Sequence, residues 1–416
     1  MKKASFFKLG LSLVAVLVST SLAASSEIVS SIDAPIYPIV VQGKELPQLV
    51  NRPIRVIQGY RIDRQKKVPI LIQIDQRDEK GLYRLANSTD VDFFTAKDEL
   101  VFLARDLGAC PTTFDAAREL DPSAPQLLRV RDAGSKHQGC IYLTTSEQLG
   151  KPESATFIQY DPKEDRVSTQ DYRLSFSHST PMIIDQVEWR QPTTGKYGPP
   201  IAQGMFLEHS GTFLAGIQFV RGPKDYQSKL IGYKAGPIRV IRRTENNLRI
   251  VWQLKSPATY IDYVIYPNQL HMDMILDLPF KASWFFKDVK TISALVLPNN
   301  QSLQIEQTNA NVTGIADGQQ NPEEQVLTGS SDTRLAIKHA QGGLWIRMDK
   351  ASDLPIRAFS YVQETADSTL VGFDTRDWEK LNAQRYHFIF SAFFLPTELA
   401  ATGFNIVDKT PLPPLE

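Results

Sequence analysis

Residues 237–278 read PIRVIRRTENNLRIVWQLKSPATYIDYVIYPNQLHMDMILDL. β-Branched and aromatic residues recur through this stretch, and three polar triplets, at 245–247, 256–258 and 267–269, interrupt it. Three-residue loops containing Asn or Pro are common between paired strands, because Asn accepts the left-handed backbone conformation that such loops need. The stretch therefore predicts four antiparallel strands joined by three short hairpin loops.

The rest of the chain repeats this pattern. Short runs rich in Val, Ile, Tyr and Phe alternate with turn residues, as in VPILIQI, ELVFLARDL and GCIYLTT, whereas segments with helical periodicity are few. Strands separated by turns about every 8–12 residues are typical of sandwiches and barrels. We therefore expect an all-β protein, an antiparallel β-sandwich or supersandwich with few short helices.

Strand alternation sorts residues 237–278 into an apolar face and a polar face. In the register that separates the two best, Trp252, Met272 and Met274 lie together on the apolar side. The other side carries cationic, aromatic and acidic groups suited to an anionic or sugar-like ligand. The predicted ligand-binding residues are Arg243, Arg249, Tyr263, His271 and Asp273.

The same residues have an alternative interpretation, a half-solvated sheet face held together by ion pairs. Asp262 fits the predicted register poorly, since it falls on the apolar side, where an unpaired charge is unfavourable. Either Asp262 pairs with an arginine such as Arg242, or the register is wrong at one hairpin.

The N-terminus has the composition of a secretory leader. Three lysines accompany an apolar run from Leu9 to Leu22, and Ser21-Leu22-Ala23 is an acceptable cleavage site. The run is too short for a spanning helix. We expect a signal peptide at 1–23 and a mature protein that is periplasmic or secreted and does not span the membrane.

The charge of the chain argues against nucleic acid as a partner. The chain has 46 basic and 46 acidic side chains, and loss of the three leader lysines leaves 43 against 46, a net charge of −3. Nucleic-acid-binding domains usually carry a basic excess or a basic stripe.

The two cysteines, Cys110 and Cys140, are expected to pair, because an exported chain meets oxidising conditions. A bridge across about 30 residues contributes roughly 3–4 kcal/mol in the chain-entropy model. Two separate thiols are the alternative.

Carboxylates form two patches early in the chain. The second patch, between Asp90 and Glu99, loosely resembles a calcium loop that starts at Ser88, but Phe93 occupies the position where glycine makes the sharp turn. We therefore expect both patches to be polar turns, with no metal and no cofactor. The first patch is Asp75, Asp78 and Glu79, and the weak calcium candidates are Asp90, Asp92, Asp98 and Glu99.

The stretch QPTTGKYGPP, at 191–200, is rich in Pro and Gly and is interpreted as a long loop or a domain junction. It divides the mature chain into an N-terminal β-rich domain with the disulfide loop, at 24–190, and a C-terminal β-sandwich or supersandwich domain, at 201–416.

Two segments carry a family resemblance. VPILIQIDQRDEKGLYRL at 68–85, followed by KDELVFLARDLG at 97–108, resembles a set of exported bacterial β-rich proteins of unassigned function. IGYKAGPIRVIRR at 231–243 is similar to strands of the galactose-mutarotase-like supersandwich. The second resemblance implies a carbohydrate ligand on a concave sheet, but no catalytic residue of that superfamily maps onto this sequence.

The sequence contains no nucleophile elbow, phosphate-binding loop, dinucleotide fingerprint or His-Glu-x-x-His motif. We therefore expect an exported, non-catalytic protein that binds a glycan or another envelope component. One alternative is a carbohydrate-active enzyme, a polysaccharide lyase or epimerase, in which Arg249, Tyr263 and His271 neutralise and deprotonate a sugar acid. The other is a structural or assembly factor of the envelope.

Overall fold

The computed structural model describes residues 37–86, 93–111, 126–131, 138–145, 149–150, 152, 156–191, 193–307, 312–340, 342–350 and 354–396. Within these ranges almost all regular structure is β-strand, and all strand pairs are antiparallel. The expectation of an all-β sandwich is confirmed.

The N-terminal unit, residues 37–145, contains two small sheets, ordered β1-β5-β4 and β3-β2-β7-β6. They enclose one apolar core that includes Leu46, Phe94, Phe102 and Ile141. The strands are β1 (Pro38–Gln42), β2 (Gln58–Asp63), β3 (Lys66–Ile70), β4 (Gln73–Asp75), β5 (Glu99–Leu103), β6 (Gln126–Arg131) and β7 (Gln138–Thr144).

The second unit, residues 156–396, begins with a five-stranded sheet ordered β12-β11-β10-β9-β8. Its strands are β8 (Ile158–Asp161), β9 (Arg166–Thr169), β10 (Tyr172–Phe176), β11 (Ile184–Arg190) and β12 (Tyr197–Ala202).

A second five-stranded sheet, β14-β13-β20-β26-β25, and a ten-stranded sheet complete this unit. The long sheet is ordered β15-β16-β18-β19-β27-β24-β23-β21-β22, with β17 beside β16. The strands are β13 (Met205–Phe213), β14 (Ile217–Arg221), β15 (Tyr226–Ala235), β16 (Val240–Val251), β17 (Leu254–Lys255), β18 (Thr259–Ile265), β19 (Gln269–Asp277), β20 (Phe286–Pro298), β21 (Leu303–Gln307), β22 (Thr313–Ala316), β23 (Arg334–His339), β24 (Gly342–Lys350), β25 (Arg357–Glu364), β26 (Ser368–Arg376) and β27 (Arg385–Pro396).

Helical structure in the described residues is limited to single turns and one short helix. No described helix has both the length and the hydropathy that a membrane span needs. The α-helix is α1 (Pro322–Leu327), and the 3-10 turns are Gly43–Glu45, Ile54–Val56, Ala104–Asp106, Leu214–Gly216, Pro223–Asp225, Ala282–Trp284, Asn299–Gln301 and Trp378–Lys380.

One continuous apolar core joins the three sheets of the second unit. Trp189 comes from the first sheet, Phe373 from the second, and Met272 and Phe388 from the ten-stranded sheet. These residues alternate with outward-facing neighbours along their strands, which is how a sandwich buries one face of each sheet. The stretch 191–200, predicted as a long loop or junction, instead forms a turn and part of β12, which pairs with β11.

The sequence-based division of residues 237–278 was wrong at its first turn. Residues 245–247 lie inside β16, a single strand of 12 residues. Asn246 is buried, and its amide donates to Thr244 Oγ1 at 3.0 Å and to the Thr259 carbonyl at 3.2 Å. Ser228 donates to its Oδ1 at 2.7 Å. The polar side chain of Asn246, which made this triplet look like a turn, thus forms its hydrogen bonds with its own strand and with neighbouring strands.

The third hairpin also differs from the prediction, and this difference changes which residues share a face. Its loop is Pro267-Asn268, two residues instead of three, because Tyr266 lies opposite Gln269. Arg243 pairs with Asp262, and Asp262 pairs with Asp273 on the next strand. Tyr263 pairs with Met272 and lies on the opposite side, in the core. Asp262 therefore belongs to the polar face, and its poor fit to the predicted register reflected an error in that register rather than a partnership with Arg242.

Cys110 and Cys140 form the predicted disulfide, with 4.9 Å between their Cα atoms. The bridge ties the loop after β5 to strand β7, and Gly108 and Cys140 also exchange two backbone hydrogen bonds of 2.9 Å. The N-terminal unit is thereby closed by covalent and backbone contacts at the same place.

A buried ion cluster joins the N-terminal unit to the sandwich. Arg239, which has no exposed side-chain surface, donates from Nε to Asp75 Oδ2 at 2.6 Å and from Nη2 to Glu99 Oε2 at 2.8 Å. Its remaining nitrogen, Nη1, donates to the Tyr266 hydroxyl at 2.8 Å. Lys234 approaches Asp75 Oδ1 at 3.4 Å. Each charge in the cluster therefore has an opposite charge beside it, as burial requires.

Gln73 fixes the backbone around this cluster. Its Oε1 accepts from the amides of Ile238 and Arg239, at 3.0 and 2.9 Å, and its Nε2 donates to Asp75 Oδ2 at 2.9 Å. A Cβ atom at Gly236 would lie only 2.2 Å from the Gln73 side chain, so the close approach depends on glycine.

The acidic patches thus have structural roles. Asp75 and Glu99 bind Arg239, and Asp78 accepts turn hydrogen bonds from the amides of Lys80 and Leu82, at 2.8 and 2.9 Å. Asp98 accepts from the amides of Thr95 and Arg77, at 2.7 and 3.0 Å, and Glu79 forms a surface ion pair with Lys97. Asp90 and Asp92 lie outside the described residues.

Replacing Arg239 by Ala should strongly destabilise the protein, by about 3–5 kcal/mol, because Asp75 and Glu99 would lose their fully buried partner and keep only the partly exposed Lys234 and Arg77 beside them. Urea unfolding monitored by tryptophan fluorescence measures the change. Arg334→Ala removes an exposed arginine paired with Asp332 and should leave the midpoint nearly unchanged. Equal effects of the two substitutions would contradict a special role for Arg239.

Candidate functional site

The outward side of the ten-stranded sheet carries three rows of side chains that run across β24, β27, β19, β18 and β16. We call this surface the polar face. Its rows follow from the observed strand register, since residues directly opposite one another point to the same side. The rows are Asp349, Ile389, Asp273, Asp262 and Arg243; then Arg347, Ser391, His271 and Val264; then Trp345, Phe393 and Gln269.

The end of the polar face nearest the N-terminal unit is a buried ion pair. Arg243 donates from Nε and Nη2 to the two oxygens of Asp262, both at 2.6 Å. Burial raises the pKa of the Asp262 carboxyl, although Arg243 opposes this shift. This pair is covered and satisfied, so it acts as scaffold.

The other end of the polar face is open to water. The His387 and Asp349 side chains are 51% and 44% exposed, and Ile389 is 38% exposed. His387 Nδ1 lies 3.5 Å from Asp273 Oδ1, and Arg347 donates from Nε to Asp349 Oδ2 at 2.8 Å. Acidic, cationic and imidazole groups are thus mixed within one accessible surface.

His271 sits between the open and covered parts and is held in one orientation. The Gln269 amide nitrogen lies 3.2 Å from Nε2, and because that nitrogen can only donate, Nδ1 carries the proton and donates to Ser391 Oγ at 2.9 Å. Burial, followed by the positive charges of Arg347 and Arg239, lowers the pKa of His271 to about 4. His271 is therefore a neutral hydrogen-bonding group at pH 7.

Two buried polar atoms on this face have no hydrogen-bond partner among the described residues. They are Asp273 Oδ1 and Trp345 Nε1. The Trp345 ring is 6% exposed and packs beside Phe393 and Ala336. Buried polar groups in native proteins are almost always satisfied by protein, water or a ligand. The missing acceptor for Trp345, together with the long 3.5 Å contact between Asp273 Oδ1 and His387, therefore points to a polar ligand or to water at this surface.

A hairpin of the N-terminal unit, residues 75–85, covers one side of the polar face. Arg77 is near enough to Asp262 to affect its charge, and the Lys80 carbonyl accepts from Arg385 Nη1 at 3.3 Å. The Tyr83 hydroxyl donates to Glu99 Oε2 at 2.8 Å and ties the hairpin to the Arg239 cluster. The open part of the face is therefore bordered by a second unit.

The five predicted ligand residues do not form one group. His271 and Asp273 lie on the polar face near its open end, and Arg243 lies on the same face under cover. Tyr263 is in the core, where its hydroxyl donates to the Met182 carbonyl. Arg249 is at the far end of β16 and pairs with Asp225 Oδ1 at 2.5 Å.

The sequence-based interpretation missed Trp345, Arg347 and His387. In GGLWIRMDK and RYHFIF these residues alternate with the apolar residues that face the core, so their outward orientation was predictable from strand periodicity. Their position on the same face as Asp273 was not, because it depends on β24 pairing with β27 and on β27 pairing with β19, a strand more than 100 residues earlier.

The interior of the sandwich does not offer a comparable site. A cavity of about 70 Å³ between the sheets is smaller than usual ligand pockets of about 300–1,000 Å³. It is lined mainly by apolar side chains, including Val187, Met205, Leu344, Ile346, Val371 and Phe373. Among the described residues, no group of three or more His, Cys, Asp or Glu side chains is placed to hold a metal ion.

Comparison with known proteins gives weak structural similarities. A protein from Synechocystis sp. PCC 6803 matches with a TM-score of 0.37 and 8% identity, over 60% of this chain and 100% of that one. An alpha-N-acetylgalactosaminidase from Bifidobacterium bifidum matches with a TM-score of 0.34 and 8% identity, over 56% of this chain and 36% of that one. A galactose mutarotase-related enzyme from Lactobacillus acidophilus matches with a TM-score of 0.33 and 10% identity, over 59% of this chain and 98% of that one.

No protein-family model matches the chain, and no curated protein matches its sequence. At these TM-scores and identities the structural similarities assign neither a family nor an activity. The functional argument therefore rests on the geometry of the polar face.

The neutral state of His271 predicts a pH-dependent stability. The folded pKa, about 4, lies below the ordinary value of 6.5, so the unfolded chain binds a proton between these values and the folded chain does not. The free energy of unfolding should therefore fall as pH drops from 6.5 towards 4. His209, buried against Tyr226 and Thr291, has its pKa lowered to about 4 by burial and adds to the effect.

Urea unfolding at pH 7 and pH 5 tests this expectation. His271→Gln should reduce the loss of stability between the two pH values, whereas His178→Gln, at an exposed position, should not. An unchanged pH dependence in His271→Gln would show that the imidazole is already protonated in the folded protein.

Proposed function

We propose that this is an exported binding protein that holds a glycan, or another hydroxyl-rich envelope component, on the open part of the polar face without transforming it. One observation carries the proposal: Trp345 Nε1 is buried and without a hydrogen-bond partner among the described residues, and Asp273 Oδ1, on the same side of the sheet, has only the long 3.5 Å contact with His387. Separate hydroxyls of one ligand can donate to Asp273 and accept from Trp345.

The surrounding groups suit a neutral ligand better than a strongly charged one. Arg347 is balanced by Asp349, and His387 lies beside Asp273, so the described residues of this surface present no uncompensated positive patch to attract an anion. The Ser391 hydroxyl accepts from the neutral His271 imidazole and keeps its own O–H free to donate to an acceptor. Mixed donors and acceptors beside aromatic rings are a common way to orient a polar ligand.

Export is supported by the leader-like residues 1–23 and by the disulfide between Cys110 and Cys140. Disulfides persist in oxidising compartments and are rare in reducing ones. A periplasmic or secreted location would bring the polar face into contact with envelope glycans.

A carbohydrate-active enzyme is the second candidate, and the contact between His387 and Asp273 favours it. An exposed imidazole beside a carboxylate is an arrangement that can move a proton to or from a bound sugar. In such an enzyme His387 and Asp273 would have the catalytic role that the sequence suggested for Arg249 and Tyr263, because those two residues lie elsewhere. A structural role in the envelope remains the third candidate.

Glycan-array binding followed by calorimetry tests the proposal. Asp273→Asn removes the carboxylate charge with almost no change in shape, and Trp345→Phe removes the indole N–H together with one ring of the side chain. Each should weaken glycan binding by about tenfold or more, since a hydrogen bond to a charged or buried group contributes roughly 1.5–3 kcal/mol.

Asp374→Asn and Trp378→Phe are matched controls. Asp374 is a buried carboxylate with one unpartnered oxygen, and Trp378 donates its indole N–H to Thr375, both away from the polar face. They should leave binding unchanged. Absence of glycan binding by the unmodified protein would contradict the proposal, and release of new sugar products during the assay would favour the enzyme instead.

A further inference from the structure

One end of the sandwich exposes large apolar side chains on three separate loops. Trp252 is 78% exposed, Trp284 is 66% exposed, and Leu214 and Leu254 are 46% and 47% exposed. Trp252 was predicted from the sequence to be buried, and this prediction was wrong. We call these four residues the apolar tip.

The four residues of the apolar tip surround one small core cluster. That cluster contains Phe213, Phe219, Ile250 and Val251, with Phe285 packed against it. Leu214 directly follows Phe213, Trp252 follows Val251, and Trp284 precedes Phe285. Loops that are distant in sequence thus present their apolar residues at the same end of the molecule.

The backbone holds these loops in an unusual conformation. Ala215, Trp252 and Asp288 all have positive φ, of 58°, 48° and 54°. A bulky residue in this region is uncommon, and the cost is tolerated mainly where the position has a role. At Trp252 the conformation directs a tryptophan into solvent where glycine would be unstrained.

Positive charge surrounds the apolar tip. Five exposed cations lie on these loops or directly beside them: Lys224, Arg249, Lys255, Lys281 and Lys287. Of the nearest carboxylates, Asp225 is buried beneath Arg249, Asp277 is paired with Arg385, and Glu379 accepts from the Val289 amide, whereas Asp288 is exposed. The exposed charge of these loops is therefore mainly positive.

We propose that the apolar tip docks the protein on the surface of an anionic lipid bilayer. Tryptophan is favoured at the boundary between lipid and water, because its ring is apolar and its N–H can remain hydrated. Lysine and arginine beside it are attracted to anionic headgroups. A soluble glycan could also stack on a tryptophan, but neither the leucines nor the ring of cations is needed for that.

This surface is separate from the polar face. The tip lies where β16 ends, at Val251, whereas the polar-face residue of β16 is Arg243 and the N-terminal unit is joined at Arg239. Docking on lipid therefore does not depend on the glycan-binding proposal, and each can fail without the other.

Vesicle co-sedimentation tests the proposal with the mature protein. Vesicles of equal parts phosphatidylcholine and phosphatidylglycerol should bind it, vesicles of phosphatidylcholine alone should bind it less, and added salt should weaken the difference. Tryptophan emission should shift to shorter wavelength on binding, since Trp252 and Trp284 would leave water.

Trp252→Gly combined with Trp284→Ser should weaken binding to the mixed vesicles by about tenfold or more. Because glycine adopts the positive φ at 252 without strain, Trp252→Gly should leave the melting temperature of the protein unchanged or raise it. A loss of vesicle binding could then not be ascribed to unfolding. Lys281→Glu with Lys287→Glu should weaken binding to anionic vesicles while leaving the weak binding to neutral vesicles.

Ile315→Ala with Val326→Ala is the matched control, because both residues are exposed and apolar but lie elsewhere, on β22 and α1. It should bind vesicles like the unmodified protein. No binding to anionic vesicles, or equal binding by the tryptophan variant, would overturn the proposal. Loss of binding to a soluble glycan in the tryptophan variant, without any vesicle binding, would assign the tip to glycans instead.

Discussion

The contact of Arg239 with Asp75 and Glu99 holds the two units of this protein in a fixed relation. Three charges are removed from water at this point, and such removal is unfavourable unless geometry and additional hydrogen bonds compensate. Gln73, Tyr266 and Lys234 supply that compensation. Burial alone would raise the pKa of Glu99, but Arg239 and Arg77 hold it below the usual value, so the ion cluster persists at neutral pH.

The site on the polar face depends on this cluster indirectly. The strand that carries Asp75 continues into the hairpin that reaches Arg385, so fixing Asp75 also fixes one wall of the open surface. Arg239 itself is one of the charges that keep His271 neutral. The acidic residues Asp75 and Glu99, which lie in patches predicted to be polar turns, therefore act through scaffold and electrostatics, at a distance from the proposed ligand.

Local pattern was sufficient for the class of fold and for the disulfide. Runs of β-branched residues bounded by turns predicted antiparallel sheets, and a chain with two cysteines allows only one intramolecular pairing. The turn at 245–247 failed because Asn246 is polar for a tertiary reason: it bonds to Ser228 and Thr259 on neighbouring strands. Sequence periodicity cannot distinguish a solvated asparagine from one that is satisfied across a sheet.

Errors at the two hairpins that flank β18 explain why the candidate site could be predicted only in part. Strand parity has period two, so the observed registers with β16 and β19 place Tyr263 in the core and Asp262 beside Arg243. His271 and Asp273 kept their relation because both lie on β19, within one strand. Trp345 and His387 join them through pairings between distant segments, which no local pattern contains.

The full length of β16 relates the two proposed surfaces. At about 3.3 Å per residue its 12 residues span roughly 40 Å, with the Arg239 joint before its first residue and the apolar tip after its last. A bilayer at the tip would lie at the opposite end of β16 from the Arg239 joint, while the hairpin at 75–85 extends along the sheet as far as Arg385. The polar face runs along the side of this strand and its neighbours, so its open part would remain in water and accessible to a ligand. A single uninterrupted strand is what keeps the two surfaces apart, and two short strands joined by a hairpin at 245–247 could not.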